Sequence, residues 1–128
     1  MRISHMDHIV LTVRDIEKTC VFYTRVLGMD LRVFGEGRRA LHYDRGKINL
    51  HEAGNEFEPK AVQPTPESAD LCFITTTAIA DVMAHFSAEG VELLLGPVPR
   101  TGSQGPLTSV YFRDPDGNLI EVSVESDT

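Results

Sequence analysis

The order of elements in the first half of this chain runs again in the second. A shift of 62 positions brings His8 onto Asp70, Ile9 onto Leu71, Leu11 onto Phe73, Gly28 onto Gly90 and Leu31 onto Leu93. A shift of 72 brings Asn49 onto Glu121 and Leu50 onto Val122, the difference being about what a proline-rich stretch in the second half adds. Such a repeat restricts the fold more than any composition does. Each copy is a βαβββ unit of roughly 60 residues, a size that buries too little surface to be more than marginal alone. Two units, or two chains, are therefore expected to share an interface.

The local pattern fills in each unit. Met6 to Val13 is rich in β-branched and aliphatic residues and reads as a strand. Asp15 is a helix N-cap, Ile16, Cys20, Tyr23 and Leu27 recur at helical spacing, and Gly28 ends the helix. Met29 to Phe34, Ala40 to Tyr43 and Ile48 to Glu52 read as the next three strands. Residues 54–68 carry Pro59, Pro64 and Pro66 without periodicity and read as a connector. In the second copy Ala69 to Thr75 is a strand, and Ile79, Val82, Met83 and Phe86 mark a helix that Gly90 ends. Val91 to Leu95 reads as a strand and Pro97 to Pro106 as a loop. Ser109 to Arg113 and Leu119 to Val124 are strands joined by the Asp114-Pro115-Asp116-Gly117 turn. The expected architecture is α+β, one domain over 1–128, with module one at 1–53, a connector at 54–68 and module two at 69–124.

With 19 acidic and 12 basic residues the net charge is -7, which disfavours nucleic acid and anionic membrane surfaces as partners. No apolar run is long enough to span a membrane, and the N-terminus lacks the apolar segment of a signal peptide, so a cytoplasmic protein is expected. Cys20 and Cys72 sit in apolar segments without CxxC spacing and read as two buried free thiols.

Strand alternation then sorts the polar residues. Ile9, Leu11 and Val13 form the apolar phase of the first strand, and Ile120, Val122 and Val124 that of the last. If each helix covers the apolar phase, the opposite faces carry His8, Asn49, His51, Asp70, Tyr111 and Glu121. Two imidazoles and two carboxylates on the concave face of a curved sheet are a donor set for a divalent cation. Each residue alone also has an ordinary structural reading: a hydrogen-bonded histidine, a solvated glutamate, an aspartate capping a turn. Arg100, between Pro99 and Gly102, is a candidate to reach over the cleft toward a carboxylate or phosphonate; a surface-loop arginine is the plainer alternative.

Asp7-His8-Ile9-Val10-Leu11-Thr12-Val13, Phe22-Tyr23-x-x-Val26-Leu27-Gly28 and Asp114-Pro115-Asp116-Gly117-Asn118-Leu119-Ile120-Glu121 resemble the vicinal oxygen chelate superfamily, which includes glyoxalase I, extradiol dioxygenases, fosfomycin-resistance transferases and bleomycin-resistance proteins. Asn49-Leu50-His51-Glu52, Glu56-Phe57-Glu58-Pro59-Lys60 and Gly96 to Gly102 are similar to a group of glyoxalase-domain proteins and their bacterial relatives. The resemblance implies two βαβββ modules forming a cupped mixed sheet, usually as a homodimer, with metal ligands on the first, fourth, fifth and eighth strands. His8 then fills the first slot and Glu121 the last. The fifth-strand slot, commonly His, is Asp70; the fourth, Glu in many glyoxalases, is Asn49, with His51 two residues on and facing the same way.

The resemblance thus implies a divalent metal (Ni, Zn, Mn or Fe) held by His8, Asp70, Glu121 and His51. Glu121 and Tyr111 are the catalytic candidates, and Arg100, Asn49, His51 and Tyr111 the substrate-binding ones. The expected activity is lyase or isomerase chemistry on the vicinal oxygens of a carbonyl or diol substrate. Two other functions fit the same resemblance: an enzyme related to extradiol ring-cleaving dioxygenases, and a metal-free small-molecule binder of the bleomycin-resistance type.

Overall fold

A computed structural model describes residues 1–126. The chain divides into two compact units, Met1–Glu67 and Ser68 onward. Residues 54–67 therefore belong with the first unit.

In the first unit β1 (His8–Val13), α1 (Ile16–Leu27), β2 (Asp30–Phe34), β3 (Arg38–Tyr43) and β4 (Gly46–Glu52) follow in order. The sheet order is β1-β4-β3-β2, with β1 parallel to β4 and the other pairs antiparallel. α1 starts where the Asp15 carboxylate accepts a hydrogen bond from the Lys18 amide at 3.1 Å. It stops at Gly28, left-handed at φ 65°, whose amide donates to the Tyr23 carbonyl. Leu11, Val13, Tyr23, Leu41, Ile48 and Leu50 are almost wholly buried and form the core. Arg39 lies in that apolar phase of β3 and pairs with Glu17 on α1.

The second unit repeats this plan with β5 (Asp70–Ile74), α2 (Ile79–Ala88), β6 (Leu95–Gly102), β7 (Gly105–Arg113) and β8 (Leu119–Glu125), ordered β5-β8-β7-β6. β5 is parallel to β8. Phe86 of α2 meets Phe112 of β7 edge-on, ring centroids 4.8 Å apart, over a core that includes Val82, Val110, Ile120 and Val122. The registers confirm the repeat: Val10 pairs with Asn49 as Cys72 pairs with Glu121. The α+β reading with one helix and one mixed four-stranded sheet per module holds.

One segment differs from expectation. Residues 91–94 form no strand; β6 begins at Leu95 and runs through the prolines to Gly102, and β7 begins at Gly105. Prolines lower strand propensity because they cannot donate to a ladder. β6 lies at the sheet edge, where one side of the strand needs no donors, so Pro97 and Pro99 are tolerated. A register shift between Leu95 and Val98 absorbs the irregularity. Among the described residues no helix is long and apolar enough to cross a membrane.

Candidate functional site

Each unit leaves one sheet face turned away from its helix. In the first unit this open face carries His8, Val10 and Thr12 on β1, Lys47, Asn49 and His51 on β4, and Arg38, Ala40 and His42 on β3. In the second it carries Asp70, Cys72 and Ile74 on β5, Glu121 and Ser123 on β8, and Ser109 and Tyr111 on β7.

His8 is half-exposed, and its Nδ1 lies 2.8 Å from the Asp7 Oδ2. A carboxylate can only accept, so Nδ1 is the donor in this contact, and in the neutral ring the lone pair then lies on Nε2. The contact also holds the Asp7 carboxyl below its usual range. Asn49 is buried, and its Oδ1 has no partner among the described residues. His51 is buried too, with Nε2 3.4 Å from Arg38 Nη2 and its ring edge-on to Phe57 at 5.6 Å. Burial, and then the Arg38 charge, push the His51 pKa down, while Glu56 and Glu58 oppose the shift. His51 stands opposite Thr12 and His8 opposite Lys47, so the two histidines are four positions apart along the strand pair, about 13 Å. The sheet does not bring their rings together.

In the second unit Glu121 has Cys72 opposite it on one side and Tyr111 on the other. Ser123 Oγ donates to Glu121 Oε2 at 3.1 Å, is 2.6 Å from Ser109 Oγ, and is 3.4 Å from Cys72 Sγ. Burial raises the Cys72 thiol pKa; the Ser123 contact opposes this, and the Glu121 charge adds to it. Cys72 is thus a neutral thiol at neutral pH. It is also exposed, whereas Cys20 is buried; the expectation of two buried thiols fails for Cys72 because its strand phase faces away from α2. A cavity of about 300 Å³ opens beside it, lined by Cys72, Ile74, Leu107, Glu121 and the end of β6 at Thr101 and Gly102.

Arg100 is in strand β6, not in a loop. Its Nε donates to the Tyr111 hydroxyl at 2.8 Å, with the guanidinium carbon 5.4 Å from the ring centroid, and its Nη1 donates to the Pro99 carbonyl at 2.9 Å. Arg100 and Tyr111 thus form one unit on the open face. Asp70 is exposed and one diagonal step from Glu121 on the neighbouring strand.

The turn after β7 sets this arrangement. Asp114 Oδ1 accepts from the amides of Asp116 and Asn118 at 2.9 Å each, and Asn118 Nδ2 donates to Asp114 Oδ2 at 2.8 Å. Asn118 Oδ1 accepts from the Ala69 amide at 2.9 Å, tying the start of β8 to the start of β5. The Asp-Pro-Asp-Gly-Asn run is therefore a clamp that fixes the register between Asp70 and Glu121. Sequence reasoning missed Asn118, Arg38, Phe57, Ser109 and Ser123 as site residues. Strand alternation put Ser109 and Ser123 on the right face, but no local pattern marks Phe57, which reaches His51 from the irregular segment after β4.

Among the described residues no three His, Cys, Asp or Glu side chains gather as a metal site. Taken unit by unit, the donor types are ones a divalent cation accepts: on the first sheet the His8 imidazole and the buried Asn49 amide oxygen without a partner, and on the second the Asp70 and Glu121 carboxylates.

Comparison with known proteins agrees with the fold. The family model described as Glyoxalase/Bleomycin resistance protein/Dioxygenase superfamily matches residues 5–122. The chain is 54% identical to virulence protein STM3117 of Salmonella typhimurium over 96% of this chain and 85% of that protein. It is 50% identical to the glyoxalase domain-containing protein RDO1 of Mycosarcoma maydis, over 99% of this chain and 72% of that one. An integron cassette protein from V. cholerae superimposes with a TM-score of 0.97 at 60% identity, covering 98% of each chain. More distant structures share the fold. The antibiotic-binding protein TnmS3 of a Streptomyces species matches with a TM-score of 0.76 at 25% identity, covering 98% of this chain and 99% of that one. The fosfomycin resistance protein FosX of Listeria monocytogenes, complexed with Mn(II) and sulfate, matches with a TM-score of 0.67 at 22% identity, covering 98% and 94%. With its paired βαβββ units and a family match over nearly its whole length, the chain belongs to the Glyoxalase/Bleomycin resistance protein/Dioxygenase superfamily.

Proposed function

We propose that this chain is a divalent-metal-dependent enzyme acting, as a homodimer, on a small carbonyl or diol substrate in lyase or isomerase chemistry. The observation that carries the reading is the Asp7–His8 contact at 2.8 Å. A ligating imidazole characteristically gives its other N–H to a carboxylate, which fixes the tautomer and raises the basicity of the ligating nitrogen. His8, Asp70 and Glu121 are the proposed ligands, a set of one nitrogen and carboxylate oxygens suited to Mn(II), Fe(II) or Zn(II). When bound, the metal supplies Lewis acidity toward neighbouring substrate oxygens.

The chain's own groups have distinct tasks. The Glu121 carboxylate, held by the Ser123 hydroxyl, takes or returns a substrate proton. Tyr111 accepts from Arg100 through its oxygen, which leaves its O–H to donate to a substrate oxygen. Arg100 adds positive charge where an anionic group of the substrate would lie.

A second reading is a small-molecule binder without metal. It draws on the absence of a three-residue metal cluster among the described residues and on the likeness to TnmS3. Activity separates the two readings. Chelator-treated and metal-reconstituted protein are assayed against 2-oxoaldehyde–thiol adducts, catechols and epoxy phosphonates. Metal-restored turnover of one class, lost in Glu121→Gln, is expected. Tight binding of a compound with no turnover under any metal would favour the binder.

A further inference from the structure

Charge is distributed unevenly on the open face of the first sheet. Asp30 and Arg32 pair with one another at 3.2 Å. Arg38 has no carboxylate partner among the described residues and stacks instead on two rings, 5.0 Å from the Phe34 centroid and 4.6 Å from that of Phe57. Lys47 Nζ lies 4.3 Å from the same Phe34 centroid. Two cations thus lean on one neutral ring, in a chain whose net charge is -7. Like charges held this close raise each other's free energy and create a local potential that an anion relieves.

Two buried polar atoms in this patch lack partners: Arg38 Nε, a donor, and Asn49 Oδ1, an acceptor. Asn49 is only 6% exposed, and Ala40, directly opposite it on β3, is wholly buried, so the floor between the cations is small and polar on one side. An unpaired buried donor or acceptor carries a full desolvation penalty. A ligand that answers both must present an acceptor to Arg38 and a donor to Asn49. A bare carboxylate leaves Asn49 unanswered. An amino acid brings a donor, but its ammonium meets Arg38 and Lys47. A carboxylate with a hydroxyl on the neighbouring carbon satisfies all three. Arg38 and Lys47 are long side chains held by ring contacts rather than ion pairs, so they can shift to admit it.

We propose that the open face of the first sheet binds a small 2-hydroxycarboxylate, Arg38 and Lys47 taking the carboxylate and Asn49 accepting the hydroxyl's hydrogen bond. This goes beyond the preceding reading and does not rest on it; no metal is needed for the contacts named.

The test is calorimetric titration of lactate into chelator-treated, full-length protein, beside propionate and alanine. Saturable binding of lactate, with propionate and alanine each weaker, is expected. Arg38→Gln and Lys47→Gln should each weaken lactate by about tenfold or more, the scale of a charge-assisted hydrogen bond. Asn49→Leu should reduce lactate to the level of propionate. If Arg38→Gln fails to fold, Lys47→Gln, outside the apolar core, carries the charge arm. Absence of saturable lactate binding, equal affinity for lactate and propionate, or an unchanged affinity in Lys47→Gln would overturn the proposal. Lactate binding lost while metal binding persists sinks this proposal alone; lactate binding retained with no metal binding sinks the metal reading alone.

Discussion

Glu121 is the residue on which structure and chemistry separate most clearly. It is partly exposed on the open face, and it accepts a hydrogen bond from the Ser123 hydroxyl at 3.1 Å. Glu121→Gln keeps the shape and removes the charge. The metal-free protein should lose less than about 1 kcal/mol, the net value of one ordinary hydrogen bond, while turnover and metal affinity fall sharply. Thermal unfolding beside activity measurement checks this; equal losses in both would make Glu121 a structural residue. His51 provides a test by pH. Its pKa lies below the ordinary 6.5 because the ring is buried beside Arg38, with Glu56, Glu58 and Lys60 as the other charges acting on it. Above pH 6.5 both folded and unfolded forms are neutral, and this group contributes no pH dependence. As pH falls below 6.5 the unfolded chain takes a proton that the folded chain refuses, so stability drops until the pH passes the lowered folded value. Unfolding midpoints between pH 7 and 5 should fall more steeply for the native protein than for His51→Gln. Parallel curves would contradict the burial argument.

At the scale of elements, two positions carry more than their side chains suggest. The Asp15 carboxylate caps α1, and Asp15→Ala should cost about 1 kcal/mol in chemical denaturation. α2 has Ala78 at the corresponding position and no side-chain cap, so the second helix relies on packing such as Phe86 against Phe112. Gly96 sits at the irregularity in β6 with φ 118°, and a Cβ there would meet the Ser109 carbonyl oxygen at 2.6 Å. Gly96→Ala should therefore destabilise by roughly 1–3 kcal/mol or more, as overpacking does, and shift Ser109 within the Glu121 network; an unchanged unfolding midpoint would contradict this. Most elements were legible in the sequence because their signals were local: Asp15 and Gly28 bracket α1, and strand alternation separates His8 from Ile9 and Glu121 from Val122. β6 was not. Its prolines signal a break, and only its edge position in the sheet, a tertiary fact, makes them harmless. The same limit applies to the site. Alternation placed Asn49, His51 and Tyr111 on the correct faces, but the Arg38–Phe57 stack depends on how the irregular segment after β4 folds back, which no period in the sequence reports.

For the whole molecule, the repeat gives each unit an open face of different charge character: Arg38 and Lys47 on the first, Asp70 and Glu121 on the second. Exposed apolar side chains on these faces, Val10 and Ile74 among them, favour association with another surface. Light scattering at micromolar concentration should return the mass of two chains, and a mass of one chain would contradict the homodimer. The central proposal is that His8 and the acidic open-face residues hold a functional divalent metal. Calorimetric titration of Mn(II), Fe(II), Ni(II) and Zn(II) into metal-free native protein, His8→Ala and Glu121→Gln tests it most directly. Saturable binding of at least one metal by the native chain, abolished in His8→Ala and strongly weakened in Glu121→Gln, is the expected result. A flat native isotherm, or one that His8→Ala reproduces, would contradict it.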